Sequence, residues 1–289
     1  MNRFESLIRP GRALLLPGVH DALSARMAEQ LGFEGLCVGG AAVGIMQFAL
    51  PDIGLQSFGE YRDCVGRIQS GSTLPIMIDA EDGFGDAKSV TRTVRAFEQM
   101  GVDALILEDL LPLTAGKPPR TLSLAEATIK LEAALRARRS ADTWIVGRTD
   151  VAHAGDHAAV AQRARRFEEI GVDAVLATGL RDLEDMRRLR GCVQVPLIAL
   201  VAQTKPWVAP SLEEASHEGY EILMHAASLM LQVVAATREG LTSLRDRCQP
   251  TWPSLTPTLE GMGKLLFTGA WNGIDTYAET SLASSKLNP

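Results

Sequence analysis

Several features that often declare a protein's class are missing from this sequence. Its four cysteines, Cys37, Cys64, Cys192 and Cys248, are scattered through 289 residues without a C-x-x-C pair. That spacing indicates neither a zinc site nor a disulfide framework, and it fits the reducing cytoplasm. Positive charge is not in excess: the net charge is −6, which argues against a nucleic-acid or anionic-membrane partner. No apolar run reaches membrane-spanning length, and residues 1–10 mix charges through their apolar positions, unlike an export signal. No G-x-G-x-x-G follows an apolar run, so a dinucleotide-binding open sheet is not signalled. A small anionic substrate stays compatible, because a few local arginines outweigh a mildly acidic whole.

What is present centres on Pro75-Ile76-Met77-Ile78-Asp79-Ala80-Glu81-Asp82-Gly83-Phe84-Gly85, a buried strand that empties into a polar loop. Asp79, Glu81 and Asp82 share one strand end and repel one another. Either a hard divalent cation with oxygen ligands, Mg²⁺ or Mn²⁺, sits among them, or they form a solvated acidic turn. Around this stretch a phrase recurs: Gly32-Phe33-Glu34, Gly101-Val102-Asp103 and Gly171-Val172-Asp173, each closing a helix and opening an apolar strand. The copies lie 69 and then 70 residues apart. That is twice the roughly 35 residues of one unit in an eight-unit, ~250-residue barrel. The expected fold is therefore a (β/α)₈ TIM barrel over residues 1–236. A C-terminal helical extension, 237–289, is expected to pack on a neighbouring subunit or back on its own barrel.

In such a barrel the chemistry lies at the C-terminal ends of the strands. Those ends read Gly39-Gly40, then Asp79 and Glu81, Glu108 and Asp109, Arg148, Thr149 and Asp150, and His225. Residues 41–57, with Pro51-Asp52-Ile53-Gly54, have the length of a lid or site loop. Each has a plain reading too: a tight turn at Gly39-Gly40, a counterion in Arg148, a hydrogen-bonded core residue in His225. Convergence at one end of separate strands favours a site. His153 and His157 mimic a metal pair but read as solvent-exposed beside the helix cap Asp156.

These motifs resemble, in order and spacing, the isocitrate lyase and phosphoenolpyruvate mutase superfamily, over residues 17 to about 236. The resemblance implies a modified TIM barrel that binds Mg²⁺ and 2-oxo or 2-hydroxy carboxylates, usually as a tetramer exchanging a C-terminal helix. It implies Asp79, Glu81 and Glu108 at the metal, Arg148 and the Gly39 and Gly40 amides on the substrate carboxylate, and Asp52 and His225 beside Arg148 in catalysis. The Lys-(Lys/Arg)-Cys-Gly-His loop of several family lyases is absent: residues 110–119 contain neither cysteine nor histidine. Thr178-Gly179 stands where those lyases carry a glutamate after strand six. Leu111-Pro112 and His225-Ala226-Ala227 resemble the oxaloacetate decarboxylase branch, which implies decarboxylation to pyruvate and CO₂ through an enolate, with His225 or a water on the ion as proton donor. The rivals are a lyase or hydrolase of another 2-oxo or 2-hydroxy dicarboxylate, methylisocitrate-like or phosphonopyruvate-like, and a non-catalytic metabolite-binding barrel. Gln203-Thr204-Lys205 match no pattern in the family.

Overall fold

The computed structural model describes residues 2–112, 118–201 and 208–248, with isolated positions from 262 to 277. Among the described residues there are eight strands: β1 (Leu14–Pro17), β2 (Leu36–Val38), β3 (Ile76–Asp79), β4 (Ala104–Glu108), β5 (Trp144–Thr149), β6 (Ala174–Ala177), β7 (Leu197–Leu200) and β8 (Ile222–His225). All pair in parallel in the order β1-β8-β7-β6-β5-β4-β3-β2. The ring closes at its seam through a parallel bridge between Gly18 and Cys37, where the Val19 N–H donates to the Cys37 carbonyl at 2.9 Å. The fold is the expected (β/α)₈ barrel.

Helices follow the strands. They are α1 (Arg3–Leu7), α2 (Ala22–Gln30), α3 (Gly40–Phe48), α4 (Phe58–Gln69), α5 (Ala87–Gln99), α6 (Leu124–Ala137), α7 (Val160–Glu169), α8 (Leu183–Arg190), α9 (Leu212–His217) and α10 (Ser228–Arg247). α5 shows why they form: Asp86 caps its first turn, and Val90, Val94 and Phe97, spaced three to four apart, bury one face. Each such fully buried side chain contributes about 1.5–3 kcal/mol.

Alternation along the strands divides the core in two. Leu14, Leu16, Met77, Ala104, Ile106, Trp144, Val146 and Met224 fill the barrel interior, with Phe4 of α1 closing its floor. Their neighbours Ile78, Leu105, Ile145 and Leu223 face the helix layer, where Phe97 and Phe167 lie. The same phase carries on past the apolar positions. The next inward residues on β3, β4 and β5 are Asp79, Glu108 and Arg148, which is how the fold gathers them over the interior.

One expectation is corrected. Residues 41–57 are not one long loop, because Gly40–Phe48 form α3. The helix stops where Ala49 turns left-handed (φ 54°) and the Leu50 N–H donates to the Gly44 carbonyl at 3.1 Å. Only residues 49–57 connect it to α4, whose start is fixed by a capping box between Ser57 and Glu60.

The chain divides into two compact units, Met1–Val233 and Val234–Pro289. Trp271, residues 250–257 and most of the expected C-terminal helical contact lie outside the described residues, as do Gln203, Thr204 and Lys205. Among the described residues no helix is long and apolar enough to cross a membrane.

Candidate active site

Each residue of Gly147-Arg148-Thr149-Asp150 has a separate task. Gly147 faces outward and lets α7 come close: a Cβ there would stand 2.8 Å from Phe167 Cδ2. Arg148 faces inward, and its Nη1 bridges Asp79 Oδ2 at 2.6 Å and Glu108 Oε2 at 2.9 Å. Thr149 turns outward again and its hydroxyl donates to Asp109 Oδ2 at 2.7 Å. Asp150 returns to Arg148, accepting from Nη2 at 2.9 Å, and also takes the Thr178 hydroxyl at 2.5 Å. Arg148 Nε lies 2.9 Å from Asp150 Oδ2, a second contact of the same ion pair.

The three clustered carboxylates after β3 are relieved by three different partners. Asp79 pairs with Arg148, and its other oxygen accepts the Glu81 N–H at 3.1 Å. Asp82 turns away to Lys130, 3.1 Å distant. Glu81 adopts a left-handed backbone (φ 53°), uncommon for a residue with a side chain, and lays its carboxylate over the start of α3. A Cβ on Gly40 would sit 1.5 Å from Glu81 Oε1, so a larger residue there would displace the Glu81 carboxylate. Gly39 is the α3 cap and faces Ala226 without crowding. The glycine pair therefore opens a helix N-terminus, where amides favour an anion.

Electrostatics single out the same cluster. Burial pushes the Asp79 carboxyl up despite Arg148. Burial, then repulsion from Asp79, pushes Glu81 well up. Glu108 is pushed well up by burial against the pull of Arg148. Asp52, in the 49–57 connection, still meets solvent at the mouth, but crowding by surrounding protein atoms, with Asp150 nearby, raises its carboxyl against the pull of Arg148. Among the described residues the desolvated carboxylates outnumber the guanidinium that joins them. A hard, all-oxygen donor set short of positive charge fits a divalent cation, so Asp79, Glu81 and Glu108 are the residues suited to hold one. Among the described residues no three ligating side chains already surround one point, because Arg148 bridges Asp79 and Glu108.

Other expectations fare differently. His225 lies in phase with Leu223, on the helix side of the wall, and its Nδ1 meets Ser228 Oγ at 3.0 Å. The alternation of β8 thus turns it from the cluster. His153 and His157 are half-buried rather than exposed, and they form no metal pair; Asp156 does cap a short turn at Ala159. Asp109, 1% exposed, is a brace: it accepts the Asp150 N–H at 2.8 Å and Arg163 Nη1 at 2.7 Å. Sequence reading passed over Arg163. Its signal is a charge on the buried face of α7, four residues before Phe167.

A cavity of about 180 Å³ opens beside Arg148 and Asp150, with Asp52, His153 and Thr178 near its entrance.

A profile of the phosphoenolpyruvate phosphomutase family matches residues 4–245. The oxaloacetate decarboxylase of Chromohalobacter salexigens is 33% identical over 247 residues, 85% of each chain. The 2-methylisocitrate lyase of Shewanella oneidensis is 30% identical over 226 residues, 77% of each chain. Among solved structures, oxaloacetate acetylhydrolase with the inhibitor 3,3-difluorooxalacetate matches with a TM-score of 0.85 and 26% identity, over 94% of this chain and 96% of that one. Phosphonopyruvate hydrolase, solved with oxalate and Mg²⁺, matches with a TM-score of 0.83 over 96% and 99%; at 23% identity the likeness is one of fold.

Proposed function

The chain belongs to the phosphoenolpyruvate phosphomutase family, and from that membership we propose that it is a lyase that decarboxylates oxaloacetate to pyruvate and CO₂. The observation that carries the reading is Arg148, a buried guanidinium fixed by Asp79 and Glu108 on one side and Asp150 on the other. A cation held that rigidly on a strand end is a pre-organised partner for a carboxylate. The relationship to oxaloacetate decarboxylase at 33% identity supports the substrate.

Arg148 orients one carboxylate of the substrate, and the amides of Gly39 and Gly40 at the start of α3 are placed for the other. Asp79, Glu81 and Glu108 would hold Mg²⁺ or Mn²⁺, which when bound withdraws electron density from a 2-oxo acid. Loss of CO₂ leaves an enolate that needs a proton at C3. Asp52 suits that step better than His225: its carboxyl is raised by partial desolvation, so that it keeps a proton longer, and it borders the cavity mouth, whereas the His225 ring is turned to Ser228. The reading includes a cytoplasmic homotetramer, checked by analytical ultracentrifugation.

The test is pyruvate release from oxaloacetate with Mg²⁺, coupled to lactate dehydrogenase, after subtracting the rate with metal alone. Turnover that EDTA abolishes and Arg148→Ala loses is expected. A wild-type rate no faster than free metal overturns the reading. A second reading, cleavage of a larger 2-hydroxy tricarboxylate, is favoured by the Shewanella oneidensis relative. It is checked by offering 2-methylisocitrate in the same assay.

A further inference from the structure

The cavity beside Arg148 does not end at the strand tips. Its lining runs from Arg148 and Asp150 past Ala177 and Ala199, the last outward positions of β6 and the middle of β7, to Leu180, Met186 of α8 and Tyr220. Ala177, Leu180, Met186, Ala199 and Tyr220 all belong to the layer between barrel and helices. The space is therefore a side slot, entered from the charged face and continued under α8. Two alanines at wall positions that hold Val175 and Leu197 elsewhere on the same strands leave it open.

The deep end offers water little. Its phenol is already engaged, since Tyr220 Oη donates to the Met186 carbonyl at 3.2 Å, and the other deep walls are aliphatic. The Thr178 hydroxyl nearer the mouth is likewise spent on Asp150. A water needs two to four polar partners, and an apolar cavity of about 150 Å³ stays dry and accepts benzene. The whole cavity, charged mouth included, measures about 180 Å³, and apolar residues make up most of its lining. Arg148 and Asp150, ion-paired with each other, form the charged side of its lining.

Resting on the lyase reading above, we propose that the slot under α8 is a specificity pocket for a benzene-sized apolar substituent on C3 of a 2-oxo dicarboxylate. A substrate anchored by its carboxylate at Arg148 directs the C3 substituent past Thr178 into the slot. The reaction is unchanged in kind. The C3–C4 bond breaks, its electron pair passes into the enolate, C4 leaves as CO₂, and a proton taken up at C3 completes the 2-oxo acid.

The probe is 3-benzyloxaloacetate, with 2-oxo-4-phenylbutanoate as the product measured by chromatography, run beside oxaloacetate on wild type and Ala199→Leu. Both substrates turn over in wild type. Leucine at 199 fills the slot and lowers kcat/KM for the benzyl compound about tenfold or more, the scale of a lost apolar pocket contact, while oxaloacetate changes less than about twofold. Thermal unfolding of the variant confirms that it folds. If it does not, Ala177→Leu fills the same space from the adjoining strand. Turnover of oxaloacetate without any of the benzyl compound overturns the pocket and leaves the lyase reading standing. Equal losses for both substrates in the filled variant also overturn it. No turnover of either substrate overturns the lyase reading and the pocket with it.

Discussion

The two ends of the barrel use the same kinds of residue for opposite ends. At the floor, Asp103 and Asp173 come from the repeated Gly-Val-Asp phrase. Asp103 Oδ2 accepts the Ile76 N–H at 2.9 Å and faces Arg3, and Asp173 Oδ2 accepts the Ile145 N–H at 2.7 Å and pairs with Arg138. Each floor carboxylate has an arginine of its own and a backbone amide from the first two residues of the neighbouring strand. At the mouth, Asp79, Glu108 and Asp150 compete for one guanidinium, and Glu81 has only the start of α3. Balanced charge marks a joint, and unbalanced charge marks a place that expects a visitor.

Removing Arg148 from the mouth should have the largest effect. Arg148→Ala is expected to lower oxaloacetate turnover by about 10³-fold, the scale of losing one pre-organised donor to a developing anion. It should also destabilise the fold by about 3–5 kcal/mol, because buried acids are left unpaired. Coupled kinetics and urea unfolding read the two losses separately. At the floor, Asp173→Ala is expected to cost about 1–3 kcal/mol in urea unfolding, through the stranded Ile145 amide, with turnover nearly unchanged. A floor variant that lost activity while keeping stability would erase the contrast between the ends.

A subtler probe is pH. Burial raises Glu81 and Glu108, so in EDTA the folded chain holds their protons more tightly than the unfolded chain does. Their contribution to stability is full below the ordinary carboxylate value of about 4.3 and is lost as pH rises through the raised folded values. Unfolding free energy followed upward from there should fall, and Glu108→Gln should flatten the fall. A wild-type curve no steeper than the variant's would show that the mouth carries no charge imbalance. Smallest of all is the exposed pair Arg188 and Glu184 on α8. Its removal should cost no more than about 0.5 kcal/mol by urea unfolding.

The barrel was legible because its repeats are local: a helix end, a glycine that turns left-handed at Gly32, Gly101 and Gly171, an acid and an apolar strand. α3 was not, since Gly40–Phe48 are apolar nearly throughout and show no helical stripe to separate them from a loop. The inward acids and Arg148 were legible from the strand ends alone. His225 shows the limit of that rule. The residue after a strand is not always the residue facing in, and counting back from Ile222 and Met224 puts it outside. Arg163 reaches Asp109 across 54 positions of sequence, and such a bond leaves no trace near either partner. The slot under α8 depends on what is small at Ala177 and Ala199, and alanine in a strand announces nothing by itself.

The alternation along β5 also limits how a chain of this kind can drift over generations. A single residue inserted just before Gly147 would turn the guanidinium into the helix layer and set a side chain against Phe167 where Gly147 now lies. Length can change freely only where nothing is counted, in the connections beyond the strand tips. Substitution in the wall, at unassuming positions such as 177 and 199, is then the remaining route by which one inherited scaffold acquires a new appetite.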